Sequence, residues 1–184
     1  MRYPNAPEVY DARYFEGNPG YMQNEFRHMC YAAVVMQFQL KKVLDIGCGH
    51  GILVEYLTRL GVHAVGMDFS EHTNHQVRGN AVSLPFGDKV FDMVVSTDLL
   101  EHLEEGDVHV AIEECKRVAW RQAHFVCPSE IADEHSYGYH LTDKPLEWWV
   151  NTFSKHGLGV QGCMEARLDD HVGRVVGYSY LMLF

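Results

Sequence analysis

Cysteine is scarce and badly spaced for cross-linking. The five residues Cys30, Cys48, Cys115, Cys127 and Cys163 are odd in number, and no CxxC pair occurs. That excludes a disulfide framework or a zinc ribbon and fits reduced thiols in a cytoplasmic protein. Positive charge is also short. Lys and Arg total 15 against 25 Asp and Glu, for a net charge of -10. Such a surface repels phosphate backbones and lacks a basic stripe, which disfavours bulk nucleic acid as a partner. No apolar run reaches the roughly 20 residues of a membrane helix, so no membrane association is expected. The polar opening, Met1 to Glu8, predicts no secretory leader. Repeats and low-complexity tracts are missing. What remains is 184 residues, 47% apolar and 22% charged, an ordinary globular composition for one domain.

The apolar pattern alternates between two periods. Residues 1–19, rich in Tyr, Pro, Asn and Gly, read as an N-terminal arm, and Tyr21 to Gln39 as a helix. Val43 to Ile46 is a short apolar run ending in glycines, a buried strand. Ile52 to Leu60 reads as a helix stopped by Gly61, and His63 to Met67 as a second strand. Residues 70–77 have room for only a turn or two of helix. Asn80 to Leu84 is a short strand candidate, and Val90 to Ser96 a strong one. Asp107 to Ala119 has helical spacing, Ala123 to Cys127 is a strand, and residues 145–156 form a helix with Pro145 in its first turn. Val175 to Phe184 reads as a final strand or hairpin partner. Strands alternating with helices predict a mostly parallel sheet covered on both faces. Ligands of such sheets bind beyond the carboxyl ends of the strands.

Asp45-Ile46-Gly47-Cys48-Gly49-His50-Gly51 follows the first strand. Three glycines in five residues let the chain turn tightly and let a ligand approach the backbone. The spacing is GxGxG, not the GxGxxG that faces a pyrophosphate with a helix N-terminus. An acid two residues before the first glycine would repel a pyrophosphate and attract an ammonium or sulfonium group. A cationic, phosphate-free nucleoside therefore fits better than a nicotinamide dinucleotide. Asp68 ends the second strand, where a carboxylate can accept both ribose hydroxyl protons.

These residues resemble the class I S-adenosylmethionine-dependent methyltransferases. Val43 to Gly51 is similar to their first motif and Val65-Gly66-Met67-Asp68 to the second. Gly79 to Phe86 is similar to the adenine-side motif, and Phe91 to Leu103 to the fourth-strand motif. The resemblance is closest over residues 41–127 and points to the small-molecule or glycan branch. It implies a Rossmann-like three-layer α/β/α sandwich with a mostly parallel seven-stranded sheet, an antiparallel last strand and a shortened helix after strand two. It implies one methyltransferase domain over 1–184, with the arm and helix at 1–39, the cofactor core at 41–127 and a substrate loop at 128–144. By the same resemblance Gly47, Cys48 and Gly49 would pass the methionine part of the cofactor, and Asp45 would organise its amino group. Asp68 would take the ribose hydroxyls and Phe69 would flank the adenine. Asn80, standing where the family usually has Asp, would read the adenine edge with Ala81. Ser96 and Thr97 would offer backbone oxygens to the amino group. Arg27 is a candidate for the cofactor carboxylate, which suits a bidentate cation.

Methyl transfer from a sulfonium needs an aligned nucleophile, and a base only if the acceptor must lose a proton. The candidate bases are His140, in a polar and aromatic loop long enough to suggest function, and His102 beside Glu101. Asp98-xx-Glu101-His102 also resembles the Glu-xx-Glu-His of metal-assisted methyltransferases, which keeps a divalent ion open as an alternative, although none is expected as the main reading. The leading expectation is a methyltransferase acting on an oxygen, less so a nitrogen, of a small molecule or saccharide. A cofactor-binding module without turnover, serving a protein partner, and a nicotinamide oxidoreductase are the competing classes. The short chain leaves only residues 1–39 and 128–144 to shape the acceptor pocket. That pocket should be open or completed by a second subunit of a homodimer.

Overall fold

The computed structural model describes residues 25–73, 76–128, 140–167 and 176–183, with side chains omitted at 25–30, 122, 124–128 and beyond Gly159. Helix α1 (Glu25–Gln37) leads into strand β1 (Lys42–Ile46), α2 (Ile52–Arg59) and β2 (His63–Asp68). Then come β3 (Val77–Arg78), β4 (Phe91–Thr97), a 3-10 turn (Leu100–His102) and α3 (Glu105–Val118). The chain continues through β5 (Ala119–Pro128), α4 (Leu146–Lys155), β6 (Gly159–Arg167) and β7 (Val176–Leu183). The sheet order is β3-β2-β1-β4-β5-β7-β6. The first five strands in that order run parallel, and β7 is antiparallel to both β5 and β6. The order reverses direction between β1 and β4, and a crevice opens there beyond the strand ends.

The alternation of strand side chains splits the interior in two. Val43, Met93 and Val95 pack under α1 and α2 with Tyr31, Val35, Leu53 and Leu57. Leu44, Ile46 and Val94 pack on the opposite face with Leu100, Ile112, Trp149 and Phe153 of the 3-10 turn, α3 and α4. By this alternation the carboxylate of Asp45 lies on the α1 side of the sheet. The amphipathic helices are explained by the same faces: α3 buries Val108, Ala111, Ile112, Cys115 and Val118, one stripe at helical spacing.

Several sequence expectations need correction. Asn80 to Leu84 is not a strand. The short third strand lies earlier, at Val77–Arg78, and residues 80–83 form a tight turn. In that turn the Asn80 side-chain oxygen accepts from the Val82 amide at 3.1 Å, and the Asn80 carbonyl accepts from the Ser83 amide. A side chain that bonds its own backbone two residues on favours a turn over a ladder. Residues 69–73 hold turns in place of the expected helical turn or two. There the Ser70 hydroxyl accepts from the His72 amide and the Ser70 carbonyl from the Thr73 hydroxyl. Pro145 caps α4 from outside and is not within its first turn. Strand β6 supplies the seventh strand that the resemblance implies, at residues where the apolar pattern had placed none. The arm at 1–19 and most of the loop at 128–144 lie outside the described residues.

An ion-pair network fixes the 80–90 segment against α3. Arg117 donates to the Leu84 and Phe86 carbonyls at 3.0 and 2.7 Å and pairs with Asp88 and Glu114. Glu114 in turn accepts from the Leu84 amide at 2.7 Å. These bonds hold residues 84–88 against α3.

Candidate functional site

The segment after β1 bends tightly. Gly47, Gly49 and Gly51 all have left-handed backbones, with φ of 72°, 52° and 72°. That conformation costs any residue with a Cβ and costs glycine little. A Cβ at Gly47 would also lie 3.2 Å from Leu99. The Gly47 and Cys48 amides both donate to the Met67 carbonyl, at 2.8 and 3.2 Å, which pulls the loop against the end of β2. Gly66 makes room beneath: a Cβ there would meet the Cys48 sulfur at 2.9 Å.

Two acids stand at this crevice. The Asp68 carboxylate accepts from the Gly49 amide through Oδ2 and from the Ser70 amide through Oδ1, both at 3.0 Å. Asp45 is 5% exposed. Burial first, and then the negative charge of Asp68, pushes its carboxyl up to about 8. Burial, helped by both acids, also pushes the Cys48 thiol up. Cys48 therefore stays a thiol at neutral pH and is no nucleophile.

The remaining cofactor candidates gather at the same edge. Phe69 follows Asp68 and is half-buried; Ala81 is buried, and Asn80 is exposed. Ser96 and Thr97 end β4, and Ser96 pairs in register with Ile46 of β1. The Ser96 hydroxyl is buried with no hydrogen-bond partner among the described residues. Arg27 lies in α1, and its side chain is outside the described residues.

The two candidate bases meet although 38 positions apart. The His102 and His140 rings pack edge to face with centroids 4.9 Å apart. The Glu101 carbonyl accepts from the Leu141 and Thr142 amides at 2.8 and 3.0 Å. Thr142 donates its hydroxyl to the Leu103 carbonyl at 2.7 Å, and Lys144 pairs with Glu105 at 2.8 Å. The end of the 128–144 loop is thus pinned onto the 3-10 turn. Burial holds His140 below its ordinary value against the opposing charges of Asp143 and Asp98, so its neutral form is favoured at pH 7. One ligand atom each from Glu101, His102 and His140 falls within 4.8 Å of the others. His140 therefore takes the place that the sequence had suggested for Asp98. Asp98 has a left-handed backbone with φ of 49° and is not in the cluster.

Comparison with known proteins agrees with this geometry. A family model described as "Methyltransferase domain" matches residues 44–127, the segment that builds the crevice. By this match residues 44–127 of the chain are similar to a methyltransferase domain. A ubiquinone biosynthesis O-methyltransferase of Mesorhizobium japonicum is 35% identical over 89 residues, 40% of this chain and 35% of that protein. Another of the same name, from Maricaulis maris, is 30% identical over 126 residues, 60% of this chain and 48% of that protein. The matched stretch thus spans a third to a half of these relatives' length. Among solved structures, the 1,6-didemethyltoxoflavin-N1-methyltransferase of Burkholderia thailandensis superposes with a TM-score of 0.74. That likeness covers 96% of this chain and 86% of that one at 12% identity. It shows the shared Rossmann-like fold. Among the described residues no helix is long and apolar enough to cross a membrane.

The buried acid pair makes a pH test. Asp45 is neutral below about pH 8, whereas a bound ammonium group prefers it charged. Cofactor affinity should therefore strengthen toward tenfold per pH unit from 6 to 8 and level off above. Stability of the cofactor-free form should run the other way. A carboxyl raised on folding contributes stability that is present below its unfolded value of 3.8 and lost as pH rises through about 8. Calorimetric titration and thermal unfolding across that range check both signs. Asp45→Asn should flatten both curves.

Proposed function

We propose that this domain transfers a methyl group from S-adenosylmethionine to an oxygen of a small, uncharged acceptor, with His140 as the general base. The observation that carries the reading is the meeting of His102 and His140 beside the GxGxG crevice. A cofactor site and a proton acceptor then share one mouth. The cofactor fit rests on three features of the chain. The left-handed glycine loop exposes backbone to a ligand. The Asp68 carboxyl is held in position by two amides. The Ser96 hydroxyl lies buried without a partner among the described residues. In this reading Asp45 and the backbone of Ser96 and Thr97 take the amino group, Gly47, Cys48 and Gly49 the methionine chain, and Asp68 the ribose. Phe69, Ala81 and Asn80 take the adenine, and Arg27 the carboxylate.

When bound, the cofactor supplies an electrophilic methyl group on a sulfonium. The residues of the chain supply orientation and the proton path. Neutral His140 accepts the acceptor's hydroxyl proton as that oxygen becomes nucleophilic. His102, 8% exposed, packs against the His140 ring and holds it. The relatives named ubiquinone biosynthesis O-methyltransferase favour oxygen over nitrogen as the accepting atom. A saccharide acceptor, a homodimeric assembly and a cytoplasmic site remain part of the proposal. The free thiols of Cys48 and Cys115 support a reducing compartment. Incubation with methyl-labelled cofactor and panels of phenols, saccharides and amines tests the reading. Label in phenols or saccharides is expected. Tight cofactor binding with no transfer to any panel would favour a non-catalytic module.

One observation favours a second reading. Glu101, His102 and His140 offer one carboxylate and two imidazoles within 4.8 Å, a donor set suited to a borderline divalent ion such as zinc. His140 would then be a ligand, and activity would be lost in a strong chelator and restored by a divalent ion. With His140 as the base, turnover should persist unchanged in the chelator.

A further inference from the structure

We propose that Tyr31 is a positioning residue for the cofactor's amino-acid end, acting through Thr97. The proposal rests on the reading that the Ser96 and Thr97 backbone receives the cofactor's ammonium group.

Tyr31 lies in α1, 66 positions before Thr97, and is 1% exposed. Its ring packs with Val35, Val43 and Val95 on the α1 face of the sheet. Its hydroxyl reaches the Thr97 hydroxyl at 2.7 Å. Thr97 is the last residue of β4. By alternation along β4, Thr97 shares the sheet face of Met93 and Val95, the same face that Asp45 occupies on β1. The next residue, Asp98, sits in a left-handed backbone that a non-glycine residue seldom adopts. From there the chain enters the turn that carries Glu101 and His102. The Tyr31 bond therefore secures the strand at the point where two functions diverge. Ser96 pairs in register with Ile46, the residue before the glycine loop, and the turn bearing Glu101 and His102 follows Asp98. A part-buried hydroxyl pair of this kind fixes direction because another orientation would give up this hydrogen bond where water replaces it poorly. The hydrophobic clusters already hold the ring in place, so the hydroxyl adds orientation more than packing.

Tyr31→Phe removes the one oxygen and keeps the ring. Cofactor affinity, measured by calorimetry, should weaken about three- to tenfold, the range one lost buried hydrogen bond gives. The KM for the cofactor should rise in parallel, with kcat and the acceptor KM within about twofold of the parent. Thr97→Val should reproduce the effect, and the double substitution should be no weaker than either single one. A merely structural tyrosine would lower the unfolding temperature and leave cofactor affinity unchanged. That outcome, or two single effects that multiply in the double variant, would overturn the proposal. A parent protein that binds no S-adenosylmethionine overturns the proposed function together with this inference. A parent that binds it, with Tyr31→Phe binding equally well, overturns the role of Tyr31 alone.

Discussion

Replacing His140 by alanine should lower kcat by two to four orders of magnitude, the usual contribution of a positioned general base. Cofactor affinity should stay within about twofold, because in the proposed complex His140 serves the acceptor and not the cofactor. The pH profile adds a sign. Burial holds His140 below its ordinary value of 6.5, so the parent enzyme should lose kcat only on the acid side of that value. A His140→Ala variant should show no such limb, and its remaining rate should come from orientation alone. His140→Gln keeps a polar side chain but cannot take a proton at these pH values, and should be equally slow. A steady-state pH series on the three proteins decides this. An Ala variant with parental kcat would leave His140 as a loop residue that orders the backbone. Because a metal ligand would also fail on substitution, the chelator experiment must accompany the series.

The second large effect concerns Asp68. Asp68→Ala should weaken cofactor binding by about a hundredfold or more. Hydrogen bonds to a charged group contribute about 1.5–3 kcal/mol each, and two ribose hydroxyls share this carboxylate in the proposed complex. The same carboxylate also accepts from the Gly49 and Ser70 amides. Its loss therefore loosens the glycine loop as well as the ribose contact. Asp68→Asn separates the two roles. It retains one acceptor oxygen for the loop but loses the charge, so it should bind with intermediate affinity. Asp68→Ala should also bring the pKa of Asp45 down, because one of the two causes that raise it is removed. The affinity of that variant should then depend less on pH between 6 and 8. Calorimetry at three pH values measures both quantities in one series.

Much of the fold was legible because its signals are local. The run from Val43 to Gly51 announces a buried strand and a tight turn through apolar residues and glycines that are neighbours in the chain. Helices α2, α3 and α4 lie within a residue or two of the expected positions, because each carries a continuous apolar stripe. The failures have a common cause. Val77–Arg78 is a two-residue strand that exists only because β2 lies beside it, and no pattern that short is visible along the chain. Residues 80–84 look extended by composition, yet the Asn80 side chain bonds the backbone and turns them. Strand β6, from Gly159 to Arg167, mixes glycines and charges and owes its place to pairing with β7.

The candidate site divides in the same way. The order of the chain alone determined the GxGxG loop, the acid before it, and Asp68 at the end of the next strand. Those residues sit close in sequence, and backbone sterics admit little else there. The tertiary structure decided everything that joins distant segments. It brought His140 against His102 and substituted it for Asp98 beside Glu101. It carried the Tyr31 hydroxyl across the face of the sheet to Thr97. It also buried Asp45 beside Asp68 deeply enough to keep a carboxylic acid neutral at pH 7. The reason is physical: a glycine's conformation is a property of its own backbone. The charge state of an acid, or the partner of a hydroxyl, belongs to whatever the fold packs around it.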